Sequence, residues 1–127
     1  MPAKGINGIA ATKDGNVVVS ADREGRLVQW SVAKRSKVRV MNGHTDWAIN
    51  AAVSPNGRVG ASSSTDRSVA IWSLVTGQLL TRIKDTSAVG APMAFTGDGR
   101  FFTATTVSDG LSVYSVSPAQ GLSLIHI

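Results

Sequence analysis

Cysteine is absent from the 127 residues, which excludes a disulfide framework, a thiolate metal site and a cysteine nucleophile, and fits a reducing compartment. Glutamate occurs once, at Glu24, and histidine twice, at His44 and His126. General acid–base chemistry therefore has few groups to draw on. No GxSxG, Walker-type or HExxH pattern occurs, and the aspartates are too scattered for a calcium loop. No catalytic residue, metal site or cofactor is expected. No run approaches the ~18 apolar residues of a membrane span, and residues 1–15 lack the apolar centre of a secretory signal. The expected setting is cytoplasmic.

Helix-forming residues nowhere gather into a run. What is present instead is 43% hydrophobic residues, 13 glycines and stretches rich in Val, Ser and Thr, the composition of strands and tight turns. The chain reads as all-β. Its net charge of +5 is mostly scattered, with one cluster at Lys34, Arg35, Lys37 and Arg39. Such a cluster suits an exposed edge strand that must stay unpaired. A nucleic-acid site is the alternative, and would show as affinity falling steeply with salt.

Self-similarity organises the sequence. Asp14-Gly15, Asn56-Gly57 and Asp98-Gly99 are each followed, fifteen residues after the glycine, by an aromatic: Trp30, Trp72 and Tyr114. Glycines and aromatics both recur every 42 residues, the period of a four-stranded propeller blade. Each Asp-Gly or Asn-Gly pair predicts a hairpin with positive φ at its central positions. The flanking strands fall at 6–11 and 17–21, 48–53 and 59–63, and 93–96 and 101–105. A third strand ends at the aromatic, as at 68–72, and a fourth follows a polar turn, as at 78–83. Their runs are apolar or small rather than alternating, as in sheets buried on both faces. The fold expected is three four-stranded antiparallel blades, at about 5–41, 42–84 and 85–127.

The second copy, from Gly43-His44 through Ser54-Pro55-Asn56-Gly57 to Ser64-Thr65-Asp66-Arg67-Ser68-Val69-Ala70-Ile71-Trp72 and Ser73, closely resembles the WD-repeat family of β-propellers. The resemblance implies a structural tetrad of His44, Ser64, Asp66 and Trp72, a buried hydrogen-bonded chain, with Ser62 as the alternative serine. Asp66 is costly to bury alone but can accept from the imidazole and from backbone N–H groups. The first copy has Glu24 where the family has Asp and Asp22 where it has Ser, so its network is expected to be imperfect or absent. The third has Asp85-Thr86 for Gly-His, Tyr114 for Trp, and Asp109 one position late.

The resemblance also implies a non-catalytic scaffold that binds other proteins or peptides through loops at one rim. There Trp47, Asp46, Arg23, Thr65 and Val107 are the candidate contacts. A regulatory or sensor propeller belonging to a larger enzyme is the alternative. Three blades do not close a ring, so further blades from a parent chain or a homo-oligomer are expected. Residues 121–127 read either as a native outer strand or as a translated junction.

Overall fold

The computed structural model describes residues 5–84, 93–106, 110–117 and 121–125, and every regular element among them is a strand. The first sheet holds β1 (Ile6–Ala11), β2 (Val17–Asp22), β3 (Arg26–Ser31) and β4 (Ser36–Asn42). The second holds β5 (Ala48–Val53), β6 (Val59–Ser64), β7 (Ser68–Ser73) and β8 (Leu79–Lys84). The third holds β9 (Met93–Phe95), β10 (Phe101–Thr106), β11 (Gly110–Ser117) and β12 (Gly121–Ile125). Each sheet keeps its strands in chain order with antiparallel neighbours, the meander of a propeller blade.

The hairpins differ from the expected form. Only the glycine is left-handed, with φ of 75° at Gly15, 73° at Gly57 and 75° at Gly99. The preceding residue instead turns its side chain inward. Asp14 Oδ1 accepts from the Thr12 hydroxyl at 2.6 Å and from the Asn16 N–H at 2.9 Å. Asn56 Oδ1 does the same with Ser54 and Arg58, and Asp98 Oδ1 with Thr96 and Arg100. One side-chain oxygen closes a longer loop, so the backbone there has no need of positive φ. Thr12, Ser54 and Thr96 thus form a third marker at the 42-residue period.

Two bulges recur at the same spacing. The β1–β2 ladder skips Asn7 and the β5–β6 ladder skips Ile49; β3–β4 skips Val38 and β7–β8 skips Leu80. Bulges bend and twist a strand, and their repetition gives the first two blades the same shape.

Between the first and second sheets Val19, Leu27 and Met41 meet Ala70, Trp72 and Leu74. Between the second and third, Val59, Ile71 and Ile83 meet Phe102 and Ala104. Every residue of β6 and β7 is buried, because both faces of the middle sheet are covered. That explains the unbroken apolar and small runs of its sequence. Leu27, Ile71 and Phe102, fully buried, each contribute about 1.5–3 kcal/mol through removal of apolar area from water.

Candidate functional site

The antiparallel order brings the β2–β3 turn, the β4–β5 loop and the β6–β7 turn to one end of the sheets. The Asp-Gly and Asn-Gly hairpins and the β3–β4 turn lie at the other. Gly25, in the β2–β3 turn, touches the β4–β5 loop so closely that a Cβ would stand 2.7 Å from the carbonyl oxygens of His44 and Asp46. Its left-handed φ of 78° also suits glycine. This contact seats the loop of the second blade on the turn of the first, and His44 N–H donates to Gly25 O at 3.3 Å.

Beneath the loop runs a polar chain. His44 Nε2 lies 2.7 Å from Ser62 Oγ, His44 Nδ1 lies 3.1 Å from Asp66 Oδ2, and the Trp72 indole N–H donates to Ser62 Oγ at 3.5 Å. The serine between His44 and Trp72 is therefore Ser62, and Ser64 as the tetrad member is corrected. Both hydroxyls face the first sheet, but Ser64 stands at the strand end, one full pleat repeat away from the imidazole. There its hydroxyl donates to Trp47 O at 2.7 Å and accepts from Asp66 N–H at 3.0 Å. Ser64 fixes the turn, and Ser62 links the loop to the strands.

Burial is the main influence on His44. Its imidazole is wholly out of solvent, and this desolvation holds its pKa below the ordinary histidine value despite the attraction of Asp66. The ring is neutral near pH 7. Since a carboxylate only accepts, Nδ1 carries the proton and donates to Asp66. Nε2 then accepts from the Ser62 hydroxyl, which leaves that oxygen free to receive the Trp72 N–H. For Asp66, burial works to raise the pKa. Hydrogen bonds from the Ser68 hydroxyl, the Thr45 N–H and His44 outweigh it, and the carboxyl sits below its usual range.

The first blade is rewired rather than without a network. Trp30 Nε1 donates to Ser20 Oγ at 3.0 Å, as Trp72 does to Ser62. Asp22, fully buried, accepts from the N–H groups of Glu24 and Arg26 and pairs with Arg26 Nε at 2.9 Å. A carboxylate where the second blade has Ser64 is compensated by an arginine where that blade has Ser68.

At the rim, Trp47 is 44% exposed and the Arg23 guanidinium stands 4.7 Å from its ring centroid. Trp47 O accepts from Thr65 N–H at 3.0 Å, and Asp46 Oδ1 accepts from Trp47 N–H at 2.8 Å. Arg23, Asp46, Trp47 and Thr65 are thus brought together from two adjacent blades. Val107, and with it Asp85, Thr86 and Asp109, lies outside the described residues. Next to this group, Gly43, Thr45, Arg67, Arg82 and Lys84 line an open cleft of about 480 Å³ that the sequence reading missed. The basic cluster does not form one patch. Arg39 donates to Gln29 Oε1 and to Val75 O of the neighbouring blade, while Lys37 Nζ stands 5.7 Å over Trp30. Among the described residues no group of three or more His, Cys, Asp or Glu side chains could hold a metal ion.

Three blades of the right topology, a 42-residue period and a His–Ser–Asp–Trp chain agree with the comparisons to known proteins. Residues 35–73 match the sequence family described as WD domain, G-beta repeat, so the chain carries a repeat of that family there, and the relatives and solved structures it resembles support a partial member. It is similar to the mouse NACHT domain- and WD repeat-containing protein 1, with 33% identity over 82 residues, 65% of this chain and 5% of that protein. It is also similar to a guanine nucleotide-binding protein subunit beta of indica rice, 32% identical over 63 residues, 50% of this chain and 17% of that protein. The structure titled "Crystal structure of RRP9 WD40 repeats" superposes with a TM-score of 0.76 at 20% identity, over 97% of this chain and 39% of that one, and shares the fold. The chain spans less than a fifth of either curated relative. WD-repeat proteins generally act as non-enzymatic platforms for protein interaction.

Proposed function

We propose that this chain is a non-catalytic platform whose rim, at the β2–β3 turn, the β4–β5 loop and the β6–β7 turn, docks a protein or peptide partner. The observation that carries the reading is the half-exposed Trp47 ring held under Arg23. A large amphipathic ring is fixed there by contacts from two blades, and little entropy remains to be lost when a partner covers it. The polar chain below makes the loop rigid enough to present it. A cytoplasmic setting, which the cysteine-free sequence suits, belongs to the same proposal.

The second reading is a propeller segment that regulates a multidomain protein. It is favoured by the mouse relative, whose name couples WD repeats to a NACHT domain and of which the alignment covers 5%. In both readings further blades, from a parent chain or a second copy, complete the ring. A photo-crosslinking residue placed at Thr65 and, separately, at Lys34 on the opposite end tests the docking surface in the source cells. The proposal predicts a discrete adduct from Thr65, lost with Trp47→Ala, and none from Lys34. Equal adducts from both positions, or adducts indifferent to Trp47→Ala, would overturn it.

A further inference from the structure

We infer that the cleft beside the rim, framed by Arg67, Arg82 and Lys84, receives the carboxylate side chains of an acidic peptide segment. The inference rests on the rim being a docking surface and adds the chemical class of what docks there.

The repeat itself separates scaffold from specificity. Residues that build the blades recur at 42, as the hairpin hydroxyls and glycines do in all three copies and the bulges do in the first two. The three cations of the cleft do not. Their counterparts in the first blade are Gly25, Val40 and Asn42. A cationic cleft is therefore not carried over to the first blade and is not required to form one.

Arg67 makes the point most sharply. It occupies the left-handed position of its turn with φ of 64°, where the first blade places Gly25 at 78° in a turn closed by the same type of hydrogen bond. A non-glycine residue there costs on the order of 1 kcal/mol, so the turn would be more stable with glycine. Arg82 is held in place rather than free, with Nη2 donating to Gly43 O at 2.7 Å and Nη1 to Ser68 Oγ at 3.3 Å. A guanidinium already fixed gives up little freedom on pairing with a carboxylate, and its planar fork matches that group. Among the described residues the one carboxylate lining the cleft, Asp66, is taken up by His44, Thr45 and Ser68. The cleft thus keeps an excess of positive charge.

The cleft is continuous with the rim, because Thr65 bonds the Trp47 carbonyl and Arg67 follows two residues later in the same turn. A peptide lying over Trp47 can set acidic side chains among the cations. Nucleic acid fits less well. The remaining cluster at 34–39 lies toward the opposite end of the sheets, with Arg39 already committed to Gln29 and Val75, so among the described residues no continuous cationic track for a phosphate backbone joins the two.

The test uses the 127-residue chain and fluorescein-labelled hexaglutamate, with binding read by fluorescence polarisation at low salt. The double variant Arg67→Gly/Lys84→Gln should weaken binding by about tenfold, since two charge-assisted contacts are lost. Lys34→Gln, at the opposite end of the sheets, should change it less than about twofold, since it removes a distant charge and not a charge-assisted contact to the peptide. Arg67→Gly relieves backbone strain, so its loss of binding is not a loss of folding. Unchanged binding in the double variant, equal binding of hexaglutamine, or tighter cleft-dependent binding of single-stranded oligothymidylate would each overturn the inference. If hexaglutamate ignores Arg67 and Lys84 while the Thr65 adduct still depends on Trp47, the acidic-peptide inference fails and the docking surface stands. If the adduct ignores Trp47, the docking reading itself fails.

Discussion

His44 Nδ1 stands 3.1 Å from Asp66 Oδ2 with the imidazole wholly buried, so that a neutral ring faces a carboxylate. An ion pair would need a proton that burial discourages. The arrangement is a hydrogen bond with direction, and it passes its polarity along to Ser62 and Trp72.

Acid should therefore act on this protein in two stages. Unfolded histidine takes up a proton as pH falls below about 6.5, while folded His44 resists until lower pH. The unfolded state then binds more protons, and stability declines through that window. Asp66, held below its ordinary value, contributes stability that is complete above about pH 4 and is lost as pH falls through its folded pKa. Urea midpoints measured across pH should show both stages. His44→Gln should be less stable throughout and should lack the upper one.

Three consecutive serines do three different things, and one of them is misplaced energetically. Ser63, fully buried, points its hydroxyl away from the polar chain and has no hydrogen-bond partner among the described residues. An unmade bond to a buried hydroxyl costs about 1–3 kcal/mol. Ser63→Ala should raise stability by about 1 kcal/mol and the melting temperature by a few degrees, read by thermal unfolding monitored by circular dichroism.

Left-handed positions should respond in opposite senses according to what occupies them. Gly57→Ala places a Cβ at φ 73° and within 3.1 Å of Val17 Cγ2, which should cost about 1–2 kcal/mol. Arg67→Gly should stabilise by up to about 1 kcal/mol, a direction that follows from strain carried in the native turn. Equilibrium urea unfolding of the two variants checks both signs.

The blade repeat is legible in the sequence because its signals are local. Asx-Gly turns, apolar runs and closing aromatics each lie within one blade, and the expected strand ends fall within a residue or two of the observed ones, except that β11 runs on to Ser117, three residues past Tyr114. The turn chemistry was within reach as well, since Thr12, Ser54 and Thr96 repeat with the glycines. The choice between Ser62 and Ser64 was not. Both hydroxyls lie on the same face two residues apart, and only the depth of the His44 ring decides between them. That depth depends on the β4–β5 loop and on the bulge at Ile49, where the ladder passes from Ala48↔Ser64 to Asn50↔Ser63. Arg23 and Trp47 could be grouped from the family resemblance. The cleft escaped because Arg67, Arg82 and Lys84 meet only when β8 lies beside β7; the signal was their lack of counterparts in the first copy.

The central claim is that Ser62 ties the β4–β5 loop to the middle blade. The measurement that tests it most directly is the nuclear magnetic resonance of the three indole N–H groups, Trp30, Trp47 and Trp72, in Ser62→Ala and Ser64→Ala. The account predicts that Ser62→Ala shifts the Trp72 indole and speeds its exchange with solvent, at a stability cost of about 1–3 kcal/mol, while leaving Trp30 in place. Ser64→Ala should disturb Trp47 and spare Trp72. A Trp72 indole that moves with Ser64→Ala and ignores Ser62→Ala would contradict it.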